Sequence, residues 1–287
     1  MTGPEPLKKP PWIKFRIPSG TSYREVYDLL KSHNLATVCQ EARCPNVTEC
    51  WNRKSATIMI LGKTCTRSCR FCAVTSGDPK GIIDPDEPSH VAEAIRTLGL
   101  RYVVITSVDR DDLPDQGSGH YAATVAEIKK INPHTRVEVL IPDFSGSAGS
   151  IRSVLDAKPD VVGHNVETVR RLTPGIRDRR SGYERSLGVL AVIKERAPQV
   201  LAKSGFMVGL GETDEEIEGT LRDLADVRTD IVTIGQYLQP CRDRAPVVRY
   251  CRPEEFESFK RIGLAMGIPH VVSGPLVRSS YRAADIV

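Results

Sequence analysis

Two hydrophobic rhythms alternate along the chain. Short, near-continuous apolar runs rich in β-branched residues occur at 57–61, 102–106, 136–141, 160–163, 206–210 and 230–235. Between and after them lie one-sided amphipathic stretches at 89–98, 120–131, 149–157, 183–195, 214–226 and 254–266. Continuous apolar runs of this length predict strands covered on both faces. The stretches with a 3.6-residue period predict helices that bury one side. Six strand–helix units in succession predict an α/β fold with a parallel sheet and helices outside it. Eight units would close a full barrel. Six predict an open partial (β/α)6 barrel or a doubly wound sheet, and in either the chemistry gathers at the C-terminal ends of the strands.

Local signals agree with the helices. Thr213 with Glu216 three residues on predicts a capping box, with Asp214 and Glu215 suited to the positive first turn. Ser181 with Glu184 predicts the same at 183–195. Pro253 suits a first helical position, where no N–H is needed. Residues 1–56 fall outside the alternation and hold one helical stretch, 23–32, and a cysteine-rich loop; the segment after 266 also falls outside it. The expected organisation is an N-terminal extension (1–56), a central α/β body (57–266) and a C-terminal tail (267–287).

Composition narrows the function classes. The chain has 287 residues, 26% of them charged, and a net charge of +4, which gives no sign of nucleic-acid binding. A chain of this size buries roughly three quarters of its unfolded surface, so its core needs no covalent staples. No run approaches the roughly 18 apolar residues of a membrane span. The Pro- and Lys-rich stretch 1–14 lacks the apolar centre of a secretory signal, so a cytoplasmic location is expected. In that reducing setting the eight cysteines favour metal or catalytic duty over disulfides.

Cys65, Cys69 and Cys72 stand in a C-x₃-C-x₂-C loop directly after the first strand of the alternation. Three thiolates so close suit three corners of a [4Fe–4S] cluster and leave one iron without a protein ligand. Zinc would want a fourth ligand, commonly as a second pair. Upstream, Cys39, Cys44 and Cys50 form a second triad, C-x₄-C-x₅-C, again short of a fourth cysteine. A zinc knuckle borrowing His33 is the alternative there. Cys241 and Cys251 read as free or buried thiols.

The first triad, with Phe71 before its last cysteine, resembles the radical S-adenosylmethionine (SAM) superfamily. The two triads together, with the runs 106–114, 164–168, 209–213, 235–240 and the terminal Arg278-Ser279-Ser280-Tyr281, resemble the lipoyl synthase family over about residues 8–284. That resemblance implies a partial (β/α)6 barrel over 57–266 with both extensions folded over the barrel mouth, and two [4Fe–4S] clusters and SAM as cofactors. One cluster, on Cys65, Cys69 and Cys72, would bind SAM at its open iron and generate a 5′-deoxyadenosyl radical. The other, on Cys39, Cys44, Cys50 and a tail serine matched to Ser280, would donate sulfur. Sequence alone does not choose between Ser279 and Ser280. The implied reaction inserts two sulfurs at C6 and C8 of an octanoyl chain on a lysine of a lipoyl carrier protein, an H protein or E2 lipoyl domain. An electron donor such as ferredoxin or flavodoxin is implied too, and neither nucleic acid nor membrane. A methylthiotransferase or a non-enzymatic zinc or cluster scaffold are the rival classes.

Position at strand ends makes Ser107, Asp109, Asn165 and Glu167 candidate SAM contacts. The aspartate-rich loop 109–115 otherwise reads as solvated. Gly62-Lys63-Thr64 lacks the upstream glycine of a P-loop. Gly209 and Gly211 suit either close approach of a ligand or plain turn geometry. Arg177, Arg179 and Arg180 read as a solvated basic face, or as a docking patch for an acidic carrier.

Overall fold

The computed structural model describes residues 7–14, 21–33, 35–53, 56–281 and 283–286. Residues 1–6 of the Pro- and Lys-rich opening stretch lie outside the described residues. The N-terminal extension contributes α1 (Thr21–Ser32), β1 (Ala36–Thr37), α2 (Val38–Glu41) and α3 (Val47–Asn52). The alternation then supplies β2 (Thr57–Ile60), a small β3 (Thr64–Cys65) and β4 (Thr75–Ser76), α4 (Glu87–Leu98), β5 (Tyr102–Ser107) and α5 (Ser118–Ile131). It continues through β6 (Arg136–Leu140), α6 (Ala148–Asp156), β7 (Val161–Gly163), α7 (Thr173–Ile176) and α8 (Tyr183–Arg196). It ends with β8 (Leu201–Val208), α9 (Asp214–Asp226), β9 (Ile231–Gln236), α10 (Pro253–Ala265) and β10 (His270–Gly274).

The large sheet runs β1-β2-β5-β6-β7-β8-β9-β10, parallel throughout except for the antiparallel β1. The six expected strands are neighbours in sequence order, as right-handed crossovers with outer helices produce. β10 extends the sheet by one parallel strand, pairing His270 with Ile231 through Gly274 with Gly235. The alternation therefore runs past 266. Only Val271 of β10 is buried, which is why its hydrophobic pattern is weak.

Side chains alternate across each strand. Met59, Thr106, Leu140, Gly205, Met207, Thr233 and Gly235 face one interior cavity at the C-terminal end. Below them, on the same faces, Lys203 Nζ meets Glu138 at 2.8 and 3.0 Å, and Tyr102 Oη donates to Glu138 at 2.5 Å. This buried ion pair closes the barrel floor. It also explains why β8 begins at Leu201 and not at 206: Lys203 and Ser204 interrupt the apolar pattern but lie inside the barrel.

Thr213 and Glu216 form the expected capping box of α9. Pro253 opens α10. Ser181 does not cap α8: Gly182 holds the cap position, and Ser181 Oγ accepts from Arg67 Nη1 at 3.3 Å. No helix among the described residues is long and apolar enough to cross a membrane.

Candidate active site

A cavity of about 600 Å³ opens at the C-terminal ends of the strands, and both cysteine triads line it. The loop that carries Cys65, Cys69 and Cys72 is closed at its base by β3 and β4, which pair Cys65 with Ser76. Gly77 N–H donates to the Cys65 carbonyl at 2.9 Å. The loop is anchored by Arg67, only 3% exposed. Its guanidinium meets Asp111 at 2.8 Å, Asp143 at 2.7 Å and Asp109 at 3.3 Å. A planar donor fork can satisfy several carboxylates at once, which suits arginine over lysine here.

Backbone N–H groups point at all three sulfurs. Arg67 and Asp109 donate to Cys65 Sγ at 3.4 and 3.3 Å, Asp178 to Cys69 Sγ at 3.2 Å, and Val74 to Cys72 Sγ at 3.5 Å. Such donors stabilise negative sulfur and tune a cluster's potential.

The upstream triad is spread over α2, the following turn and α3. Thr37 caps α2 by accepting from Gln40 N–H at 3.3 Å. Cys44 N–H donates to the Cys39 carbonyl, and Cys50 N–H to the Asn46 carbonyl. Burial, with Cys44 beside it, pushes the Cys39 thiol up to about 11. Burial and the two other thiols push Cys50 up to about 12.

The C-terminal tail closes over this triad. Asn46 Nδ2 donates to the Leu276 carbonyl at 2.6 Å, and Tyr281 Oη to the Glu49 carboxylate at 3.1 Å. Arg53 pairs with Asp285 at 3.1 Å. Ser279 and Ser280 both line the cavity. Ser279 Oγ accepts from Asn165 Nδ2 at 2.7 Å.

The remaining candidates also reach the cavity. Phe71 packs on the satellite core of Ile176, Leu210, Tyr237 and Ala245. Ser107 donates its hydroxyl to the Val108 carbonyl at 2.8 Å. Burial raises the Asp109 carboxyl to about 6 against the pull of Arg67. Glu167 has φ of 69°, held there by bridging Gly205 and Met207 of β8. A non-glycine residue kept in that region is strained, and such strain clusters at functional sites.

Two expectations are corrected and two open alternatives are decided. His33 does not join the upstream triad: its Nδ1 lies 3.1 Å from the Leu29 carbonyl at the end of α1. The aspartate loop is not merely solvated, because Asp111 pairs with Arg67, Asp112 with Arg110, and Asp115 accepts from Gly117 and Gly119. Arg177 is buried against Val166 and Ser186, and Arg180, though partly exposed, pairs with Asp178 and Asp111, so the three do not form one free basic face. Gly209 makes room for the chain itself: a Cβ there would lie 2.1 Å from Gln236 Nε2 and 2.5 Å from the Arg249 carbonyl. The adjacent N–H groups of Gly209 and Leu210 are filled by Glu212.

The donor sets suit iron–sulfur clusters. Among the described residues, no three His, Cys, Asp or Glu side chains converge closely enough to hold a single metal ion. The six cysteines instead line a cavity of about 600 Å³, which has room for multi-iron clusters. Burial disfavours their thiolates, so a cationic cluster is the partner that makes close, buried thiolates tolerable. Trp51 Nε1 is buried without a full hydrogen bond, yet lies close enough to Cys39 to favour its thiolate. A cluster-bound sulfur is the acceptor that indole lacks. The sequence reading missed Trp51 and Arg67, although both sit beside motif cysteines.

Partial barrel and cysteine loop together define a radical SAM enzyme, and the Radical SAM superfamily model matches residues 59–224. The model of the N-terminal domain of lipoyl synthase matches residues 2–44. The chain is 56% identical over 280 residues to lipoyl synthase of Halorhodospira halophila, covering 98% of this chain and 84% of that one. It is 53% identical over 282 residues to lipoyl synthase of Thermus thermophilus, covering 98% and 87%. The chain belongs to the lipoyl synthase family. Among solved structures, methylornithine synthase shares the fold with a TM-score of 0.52 at 13% identity, over 92% of this chain and 87% of that one. The FeFe-hydrogenase maturase from Carboxydothermus hydrogenoformans does so at 0.56 and 12%, over 79% and 64%. Superfamily membership brings with it a [4Fe–4S] cluster and SAM.

Proposed function

We propose that the chain inserts sulfur at C6 and C8 of an octanoyl group carried on a lysine of a lipoyl carrier protein. In this reading Cys65, Cys69 and Cys72 would hold a cluster that would provide the electron needed to split SAM, and Cys39, Cys44, Cys50 and Ser280 would hold a second that would provide sulfur. The observation that carries it is that both triads and the tail serines open on one cavity. Chemistry begun at one triad can therefore be completed at the other without release of the substrate.

The chain's own residues divide the work. Arg67 and the backbone donors fix the first loop. Ser107, Asp109, Asn165 and Glu167 offer polar contacts to SAM at the strand ends. Val38, Ala42, Met59, Leu238 and Pro240 give the cavity apolar walls fit for an eight-carbon chain. The Asn165 bond occupies the hydroxyl of Ser279, which favours Ser280 as the fourth ligand of the upstream triad. A serine oxygen is a hard ligand among soft thiolates, and so the easiest to displace when that site must open. The N-terminal extension and the tail that follows β10 act as one lid that carries the second site. The protein positions and shields while the cofactors carry the radical chemistry. The partners in this reading are an octanoylated H protein or E2 lipoyl domain and an electron donor such as ferredoxin or flavodoxin.

Replacing Cys39, Cys44 and Cys50 together with alanine tests the division. SAM cleavage should persist while sulfur insertion disappears. Retained insertion would contradict the assignment.

A further inference from the structure

Most residues that line the cavity are buried or half-buried. Lys9, Arg43 and Ser76 are the exposed ones, and they mark its mouth. Two of these three are cations. Arg43 holds φ at 52° in the turn between Cys39 and Cys44. That value is strained for a residue with a side chain, and such strain clusters at functional positions. Its Nη1 donates to the Pro240 carbonyl at 3.3 Å, which ties it to the loop after β9. That loop continues a positive arc with exposed Arg242 and half-buried Arg244. Ala245 N–H donates to the Arg70 carbonyl at 2.8 Å, so the arc ends on exposed Arg70 of the Cys65 loop.

Charge along this arc is not neutralised. Arg43 and Arg70 hydrogen-bond only to carbonyl oxygens, those of Pro240 and Gly175. Among the described residues neither they nor Arg242 has a carboxylate at ion-pair distance, and the arc's own acid, Asp243, lies 3.9 Å from Arg244. The far side of the mouth, past Ser76, carries both signs in Asp78 and Lys80.

The substrate of the proposed function brings a protein surface to this rim. From a lysine Cα to C8 of its octanoyl group is about 16 Å of extended chain. That short arm must reach the cavity that both triads line, so the carrier's surface around the lysine rests on the mouth. We propose that Lys9, Arg43, Arg70 and Arg242 form the docking surface for the carrier and receive acidic side chains that flank its acyl-lysine. A guanidinium fork matches a carboxylate with two parallel hydrogen bonds. Opposite charges across the rim speed encounter and fix the orientation in which the arm points inward, and salt screens them. The inference rests on the proposed function, because a free acyl chain would bring no protein surface to the mouth.

Binding of octanoylated H protein to the reconstituted full chain, followed by titration calorimetry, tests the surface. The double variant Arg70→Glu, Arg242→Glu should bind it about tenfold more weakly at low salt, and high salt should remove most of that difference. Arg242→Glu alone should show a smaller loss in the same direction. An H protein whose acids flanking the acyl-lysine are changed to lysine should bind the double variant better than the unaltered chain. An octanoyl-lysine peptide, which lacks the carrier's surface, should gain sulfur equally from both chains, with equal iron content. Equal affinity of the two chains for H protein at low salt would overturn the docking surface, and so would an equal loss on the peptide. Charge-dependent binding of H protein without sulfur insertion into either substrate would keep the docking surface and refute the proposed function.

Discussion

At the scale of single residues, Arg67 and His164 show how buried polar groups hold the site's surroundings. Arg67 gathers three aspartates beneath the Cys65 loop. Its replacement by methionine removes the buried counter-charge that the three carboxylates share and leaves Asp111 and Asp143 only the more exposed Arg180 and Arg185, a loss of roughly 3 kcal/mol. Arg67→Met should bind about half the iron of the unaltered chain and keep the half that belongs to the upstream triad, as iron analysis of the reconstituted proteins can show. His164 lies in a chain of bonds in which Arg177 donates to Ser186 Oγ, Ser186 faces His164 Nε2, and His164 Nδ1 meets the Ile141 carbonyl. Burial, with Arg177 nearby, lowers its pKa to about 4. Between pH 6.5 and 4 the unfolded chain therefore binds the proton that the folded one refuses, and stability falls as the pH drops through that window. The loss by pH 5 is about 2 kcal/mol at 1.36 per unit. Denaturant unfolding at pH 7 and pH 5 should show it, and His164→Gln should flatten that part of the slope.

At the scale of elements, the tail matters most. It packs on β9 through Gly235, and nothing larger fits beneath the Val277 carbonyl. Gly235→Ala should lift the tail, so protease cleavage after Arg278 should quicken while SAM cleavage persists; an unchanged cleavage rate would show that the tail is seated by other contacts. The triads and the tail motif were legible in the sequence because ligand types and spacing carry that signal. The contacts that seat the tail were not. Tyr281 with Glu49 and Asn46 with Leu276 join positions more than two hundred residues apart, and no local pattern announces such pairs. The true duty of Arg177 and Arg180 was hidden too: three basic residues in a short stretch look like a surface, yet Arg177 turns inward to Ser186 of α8, and Arg180 meets Asp178 in its own loop and Asp111 beyond β5.

At the scale of the whole molecule, the six-unit alternation gave the parallel sheet and its catalytic end, and the family resemblance chose the partial barrel over a doubly wound sheet. It failed where the barrel is polar inside. Lys203 broke the pattern of β8 because its partner Glu138 lies on β6, and the two meet only once the sheet curls. It also stopped one strand early, since β10 buries little. The completed sheet leaves one cavity at its open end, roofed by the two chain extensions and lined by both triads. That shared cavity is the basis for joining two chemistries in one enzyme.

The central claim is most directly tested by weighing the product. The anaerobically reconstituted chain is incubated with SAM, a reductant and an octanoyl-lysine peptide, and the peptide's mass is measured. The account predicts a gain of two sulfur atoms, less two hydrogens once the dithiol closes to a disulfide. SAM consumed with the peptide left at its original mass would contradict it.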